Sequence, residues 1–137
     1  MSDCPFCKII AKEIPAEIIY EDENSLAFLD INPRTLGHTM VIPKVHATDL
    51  TELPADKVEP LFQTVKKLDL QIIKALSAAG LTIGINQGKV SGQVVPHLHI
   101  HLLPRFLDDG GGSIHSAVNR PPEETVSETA ARIRSSI

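Results

Sequence analysis

The sequence contains no tryptophan, and aromatic residues make up only 4% of it. A platform that stacks bases of a single strand is therefore not expected. Positive charge is not in surplus either. Thirteen Lys+Arg face seventeen Asp+Glu, for a formal charge of -4, which argues against a domain that neutralises a nucleic-acid backbone. A small phosphate-bearing ligand needs only a few aimed donors and is not excluded. Long apolar runs are missing: Met40-Val41-Ile42 is far too short to span a bilayer. The start, Met1-Ser2-Asp3-Cys4, lacks the basic and apolar parts of a secretory signal. The expectation is a cytoplasmic protein without membrane or nucleic-acid partners. There are only two cysteines. In a reducing compartment they point to a metal or redox pair rather than a disulfide.

The 137 residues, 42% of them hydrophobic, suit a single domain with one ordinary core. Short strands are expected over 18–20 and 25–30, on either side of the turn Glu21-Asp22-Glu23-Asn24. A third is expected over 38–43. Leu61, Val65, Leu68, Ile72 and Leu76 recur at helical spacing, with Lys66, Lys67, Asp69 and Gln71 on the other face. This predicts an amphipathic helix with a break or a first turn at Pro60 and an end at Gly80. Further strands are expected over 81–86 and 95–103. Three consecutive glycines, 110–112, predict a mobile loop. Pro121-Pro122-Glu123-Glu124 reads as the start of a C-terminal helix. The fold class is α+β, with an antiparallel sheet of about five strands, one long helix and a C-terminal helix.

The most informative stretch is Pro96-His97-Leu98-His99-Ile100-His101-Leu102-Leu103. Alternate side chains of a strand point the same way. Three imidazoles therefore share one face, and Leu98, Ile100 and Leu102 share the other. Neutral imidazole carries a lone pair on one nitrogen and a proton on the other, so it can attack phosphorus, bind a metal or relay a proton. Asn86-Gln87-Gly88 and Ser91-Gly92-Gln93 supply amides just upstream, which favours phosphate chemistry over a metal-binding face.

His97-Leu98-His99-Ile100-His101-Leu102-Leu103 resembles the signature of the histidine triad (HIT) family. Cys4 to Ile10, Glu13-Ile14-Pro15, Ala27 to Ile31, Gly37 to Lys44 and Gly92-Gln93 fall where members have similar segments. The likeness weakens after about Phe106, so residues 107–137 form a more variable extension of a single domain, 1–137. The resemblance implies a hydrolase acting on the α-phosphate of a nucleotide, such as an adenosine phosphoramidate or a dinucleoside polyphosphate, and a homodimer. It makes His99 the nucleophile, through a nucleotidyl-imidazole intermediate, and His101 the group that holds phosphate oxygens and assists the leaving group. His97 completes the row and His38 stands behind it. Asp30 is implied as the ribose ligand. Asn86, Gly92, Gln93 and the backbone of Val94 are implied at the phosphate or leaving group, and Phe6, Ile9, Phe28, Leu29 and Ile31 around a purine base. For those five, plain core is the competing reading. Many relatives carry Ser or Thr where this chain has Val94, so a hydroxyl is missing there.

Cys4-Pro5-Phe6-Cys7 by itself is half a zinc site, a redox pair or neither. His46 and His97 are candidates to complete four ligands, and relatives that bind a structural zinc use that set. A thioredoxin-like reading wants a strand before the first cysteine, and only three residues precede Cys4. A nucleotide-binding regulatory module with weak hydrolase activity is the alternative that shares every binding residue.

Overall fold

The computed structural model describes residues 3–137. Five strands form one antiparallel sheet: β1 (Ile18–Glu21), β2 (Ser25–Leu29), β3 (Thr39–Pro43), β4 (Gly80–Gly84) and β5 (Ile100–Arg105), in the order β1-β2-β3-β5-β4. The turn between β1 and β2 is held by Asp22, whose Oδ1 accepts the N–H groups of Asn24 and Ser25, each at 2.8 Å. No helix among the described residues is long and apolar enough to cross a membrane.

Period-two alternation gives the sheet two apolar faces. Ala27, Val41, Leu98, Ile100 and Leu102 pack against Leu61, Val65, Leu68 and Ile72 of α2 (Ala55–Leu76). Leu26, Phe28, Met40 and Ile42 pack on the other face against Phe6 and Ile9 of a short helix, α1 (Pro5–Ile10). That helix is not apparent from hydrophobic period, being a turn and a half long. Its local signal is a cap: Cys4 is the N-cap, its sulfur accepts the Cys7 N–H, and Pro5 takes the first helical position.

Several sequence expectations are corrected. Helix α2 neither breaks nor starts at Pro60, which lies inside it. The carbonyl that loses its donor there is that of Asp56, an exposed residue, so water can replace the lost bond. The helix stops at Leu76, not at Gly80. Ser77 takes the left-handed conformation at φ 55°, and Gly80 opens β4. Strand β5 begins at Ile100 rather than Val95, because the Leu98 N–H pairs with the Ala47 carbonyl at 2.7 Å instead of entering the sheet ladder. The glycine run is braced. Arg105 binds Asp109 through Nε at 2.8 Å and Nη2 at 3.1 Å, and its Nη1 donates to the Gly112 carbonyl at 2.7 Å. The C-terminal helix α3 (Val126–Ser136) starts after Thr125, whose hydroxyl accepts the Glu128 N–H at 3.1 Å, not at the proline pair.

One glycine is favoured by its backbone conformation. Gly37, at φ +81° before β3, lies so close to the end of α2 that a Cβ would overlap the Leu76 side chain.

Candidate active site

Leu98, Ile100 and Leu102 are buried in the core beneath α2, which turns the alternate residues to the opposite face. His99 and His101 lie ring to ring, with centroids 5.0 Å apart. His97 follows a bend, its N–H donating to the Val95 carbonyl at 2.8 Å, His99 lies in the segment that leads into β5, and His101 is in the strand, opposite Met40.

Hydrogen bonds set the proton on each ring. The Nδ1 of His99 is 2.7 Å from the His97 carbonyl oxygen. A carbonyl only accepts, so Nδ1 carries the hydrogen and Nε2 keeps its lone pair. A second chain starts at the backbone. The Arg34 N–H donates to Nδ1 of His38 at 3.2 Å, which leaves the His38 proton on Nε2. That nitrogen is 2.9 Å from Nδ1 of His101 and donates to it. The His101 proton is therefore on Nε2. One face thus presents a nucleophilic nitrogen on His99 beside a proton-bearing nitrogen on His101. Burial, followed by the neighbouring His99 and His38, pushes His101 down to about 4, with Asp30 opposing. Burial also lowers His38. His101 and His38 are therefore neutral at physiological pH, and His101 offers its Nε2–H as a hydrogen-bond donor.

The other candidate residues divide. Asp30 Oδ2 lies 3.6 Å from His38 Nε2, and its Oδ1 accepts the Asn32 N–H at 2.8 Å. Phe6 meets His99 edge-on, with centroids 5.2 Å apart, and packs with Ile9 and Phe28 in the apolar cluster beside the triad. Leu29 is half-buried at the end of β2. Ile31 does not join this group: it is 86% exposed in the loop after β2. Gly92, at φ +105°, lies beside Asn86, with Asn86 Nδ2 3.7 Å from where a Cβ would stand. Gln93 is committed to bracing its loop. Its Nε2 donates to the carbonyls of Thr48 at 2.8 Å and Val95 at 3.1 Å, and its Oε1 accepts the Gly88 N–H at 2.9 Å. In this arrangement its side chain positions the loop and has no amide hydrogen left for a phosphate. Val94 is 88% exposed. The Arg34 N–H and the His97 carbonyl, which decide both tautomers, were missed at the sequence level, because backbone groups leave no residue signature.

Cys4, Cys7, His46 and His97 converge at the start of α1, with ligand atoms all within 4.8 Å of one another. His97 donates Nε2–H to the Pro43 carbonyl at 2.9 Å, so its Nδ1 lone pair faces the sulfurs of Cys4 at 3.4 Å and Cys7 at 3.6 Å. His46 Nδ1 is 3.3 Å from the Cys7 sulfur. A zinc tetrahedron with ordinary bond lengths has sulfur–nitrogen edges of about 3.6 Å, and the four side chains fit one with little movement. Burial, then the hydrogen bond and charge of Cys4, pushes the Cys7 thiol up to about 11. A redox cysteine is tuned in the opposite direction.

Comparison with known proteins agrees with this geometry. A family model described as HIT domain matches residues 11–108. The chain is 50% identical over 107 residues to an uncharacterized HIT-like protein of Methanocaldococcus jannaschii, covering 78% of this chain and 82% of that protein. It is 40% identical over 104 residues to the adenylylsulfatase HINT3 of Arabidopsis thaliana, covering 76% of this chain and 53% of that protein. The crystal structure of a HIT family member from Bacillus subtilis superposes with a TM-score of 0.85 at 38% identity, covering 98% of this chain and 94% of the other. The chain belongs to the HIT domain family, whose members include nucleotide hydrolases.

Proposed function

We propose that the protein hydrolyses a purine nucleotide at its α-phosphate through a covalent intermediate on His99. The observation that carries this reading is the pair of tautomers: a free lone pair on His99 Nε2 next to a proton on His101 Nε2. His99 attacks phosphorus while the bond from phosphorus to the leaving group breaks. His101 donates a hydrogen bond from Nε2–H to the departing oxygen or nitrogen, which takes its proton from solvent. Water then attacks the phosphorus, the phosphorus–nitrogen bond breaks, His99 regains its lone pair and the water's proton passes to solvent. Dividing one displacement into two lower barriers is the advantage of covalent catalysis. Asp30 suits the ribose hydroxyls as an acceptor. Phe6, Ile9 and Phe28 are 7%, 7% and 3% exposed, so they serve as the core that backs the triad, with Phe6 edge-on to His99.

Cys4, Cys7, His46 and His97 would hold a structural zinc, and four protein ligands leave no position for substrate. Bound there, the ion cross-links α1 to the triad segment. A second copy of the chain would pair along β4, an edge strand whose Ile83 is 42% exposed.

The test is turnover of adenosine phosphoramidate and diadenosine tetraphosphate by wild type and His99→Ala. Loss of turnover in a variant that still folds and binds AMP is expected. Turnover of either substrate by the variant at the wild-type rate would remove His99 from the mechanism. A regulatory binding module instead predicts negligible turnover by both proteins.

A further inference from the structure

His97 belongs to two structures at once. Its side chain is part of the cluster with Cys4, Cys7 and His46, and its backbone carbonyl accepts the Nδ1 hydrogen of His99 at 2.7 Å. That carbonyl is half of a planar unit. In a trans peptide the C=O of one residue and the N–H of the next share a plane and point in opposite directions. Whatever fixes the Leu98 N–H therefore also aims the His97 carbonyl. The Leu98 N–H donates to the Ala47 carbonyl at 2.7 Å, and Ala47 directly follows His46. The peptide that sets the tautomer of His99 is thus held by the His97 side chain and by the residue after His46, both tied to the cluster. Phe6 adds a second link. It stands between Cys4 and Cys7 in α1, edge-on to the His97 ring at 5.9 Å and to the His99 ring at 5.2 Å.

We propose that the cysteine–histidine cluster is a positioning device for the nucleophile: zinc held there locks the His97–Leu98 peptide, and with it the hydrogen on His99 Nδ1, so that metal occupancy regulates the site. The proposal rests on the assignment of His99 as nucleophile and of the four ligands above. Sulfur–nitrogen contacts of 3.4 Å and 3.6 Å to His97 and 3.3 Å to His46 are weak when made by thiols. Bonds from all four side chains to one ion would fix His46 and His97 relative to each other and to α1. When these segments are free to shift, the carbonyl leaves the His99 ring. One proton can then leave Nδ1 while another joins Nε2, and the ring stays neutral. The nitrogen that must attack phosphorus has lost its lone pair. Cys4, Cys7 and His46 are positioning residues on this account, acting on His99 through His97.

The test compares nitrogen NMR spectra of labelled histidine in zinc-loaded protein with those of two metal-free forms. One is wild type stripped with a chelator. The other is Cys4→Val/Cys7→Val, whose apolar side chains fill the cluster and keep α1 packed on the sheet; it carries the comparison if chelation unfolds the wild type. In the loaded protein the His99 nitrogens should read as hydrogen on Nδ1 and lone pair on Nε2. In a metal-free form whose Ile42 and Leu102 amide resonances show a folded core, both nitrogen shifts should move toward the average of two tautomers. Added zinc should restore them in wild type and not in the valine variant. The kcat for adenosine phosphoramidate should fall about tenfold or more in the metal-free forms, with AMP binding changed less than about twofold. Leu68→Ala weakens the core under α2, away from the cluster, and should leave the nitrogen shifts as in wild type. A His99 signature that is the same with and without zinc, or that moves as far in Leu68→Ala, would overturn the proposal. The spectra need no substrate. Absence of turnover by zinc-loaded wild type would instead overturn the hydrolase reading, and the nitrogen shifts would still decide the link from cluster to tautomer.

Discussion

The carbonyl of His97 decides what the His99 ring can do. By accepting the Nδ1 hydrogen at 2.7 Å it holds the lone pair on the other nitrogen, and no nearby side chain is needed to choose the tautomer. His99→Ala should therefore lower turnover about 10³-fold or more, as loss of a nucleophile does, with the far-UV spectrum unchanged. His38 acts one step back, by donating to His101 at 2.9 Å. His38→Phe keeps much of the ring volume and removes the donor, so it should lower kcat more than it changes KM. An equal effect on both would mean that His38 serves substrate binding instead. At this scale the sequence was informative about residue type and face. Alternation placed the three imidazoles together and the aliphatics opposite. The choice of proton position was not legible, because it depends on the Arg34 N–H and the His97 carbonyl. Ile31 shows the same limit from the other side: position in a motif suggested a pocket, and the chain past β2 turns it to solvent.

Among the elements, α2 carries the sheet's rear face. Leu68 is 2% exposed within that contact. Leu68→Ala should cost about 2–5 kcal/mol of stability, from lost burial plus the cavity left behind, measured as a shift in the urea midpoint. The helix face was legible because five aliphatics repeat at its period. Its ends were not, since a tolerated proline lies inside it and a serine takes the left-handed turn after it. Ser77 holds φ 55°, a conformation that glycine adopts at no steric cost. Ser77→Gly should consequently leave stability unchanged or raise it by up to about 1 kcal/mol, despite the extra freedom of the unfolded chain. The glycine run was misread for a related reason. Composition reports the freedom of 110–112, but the Arg105–Asp109 pair that restrains it depends on a bend bringing the two side chains together.

Across the whole molecule, the interior keeps titratable rings neutral. His101 binds a proton only near pH 4 in the folded chain, against an ordinary value of 6.5. Between those values the unfolded chain holds more protons, so acid favours unfolding. Stability should be constant above about pH 6.5 and fall as pH drops toward 4. His101→Asn should flatten that slope, and an unchanged slope would mean that other groups carry it. The cysteine–histidine cluster joins α1 to the triad segment over 93 residues of sequence. If it holds zinc, metal analysis of protein purified without chelator should find about one ion per chain, and chelation should lower Tm.

The account as a whole depends on a bond between phosphorus and one imidazole nitrogen. Its most direct test is to quench the protein in alkali during turnover of a radiolabelled adenine nucleotide and map the label by peptide mass spectrometry. The account predicts an adenylyl group on His99 that is stable to base and released by acid. Label on another residue, or no covalent label while substrate is being consumed, would contradict it.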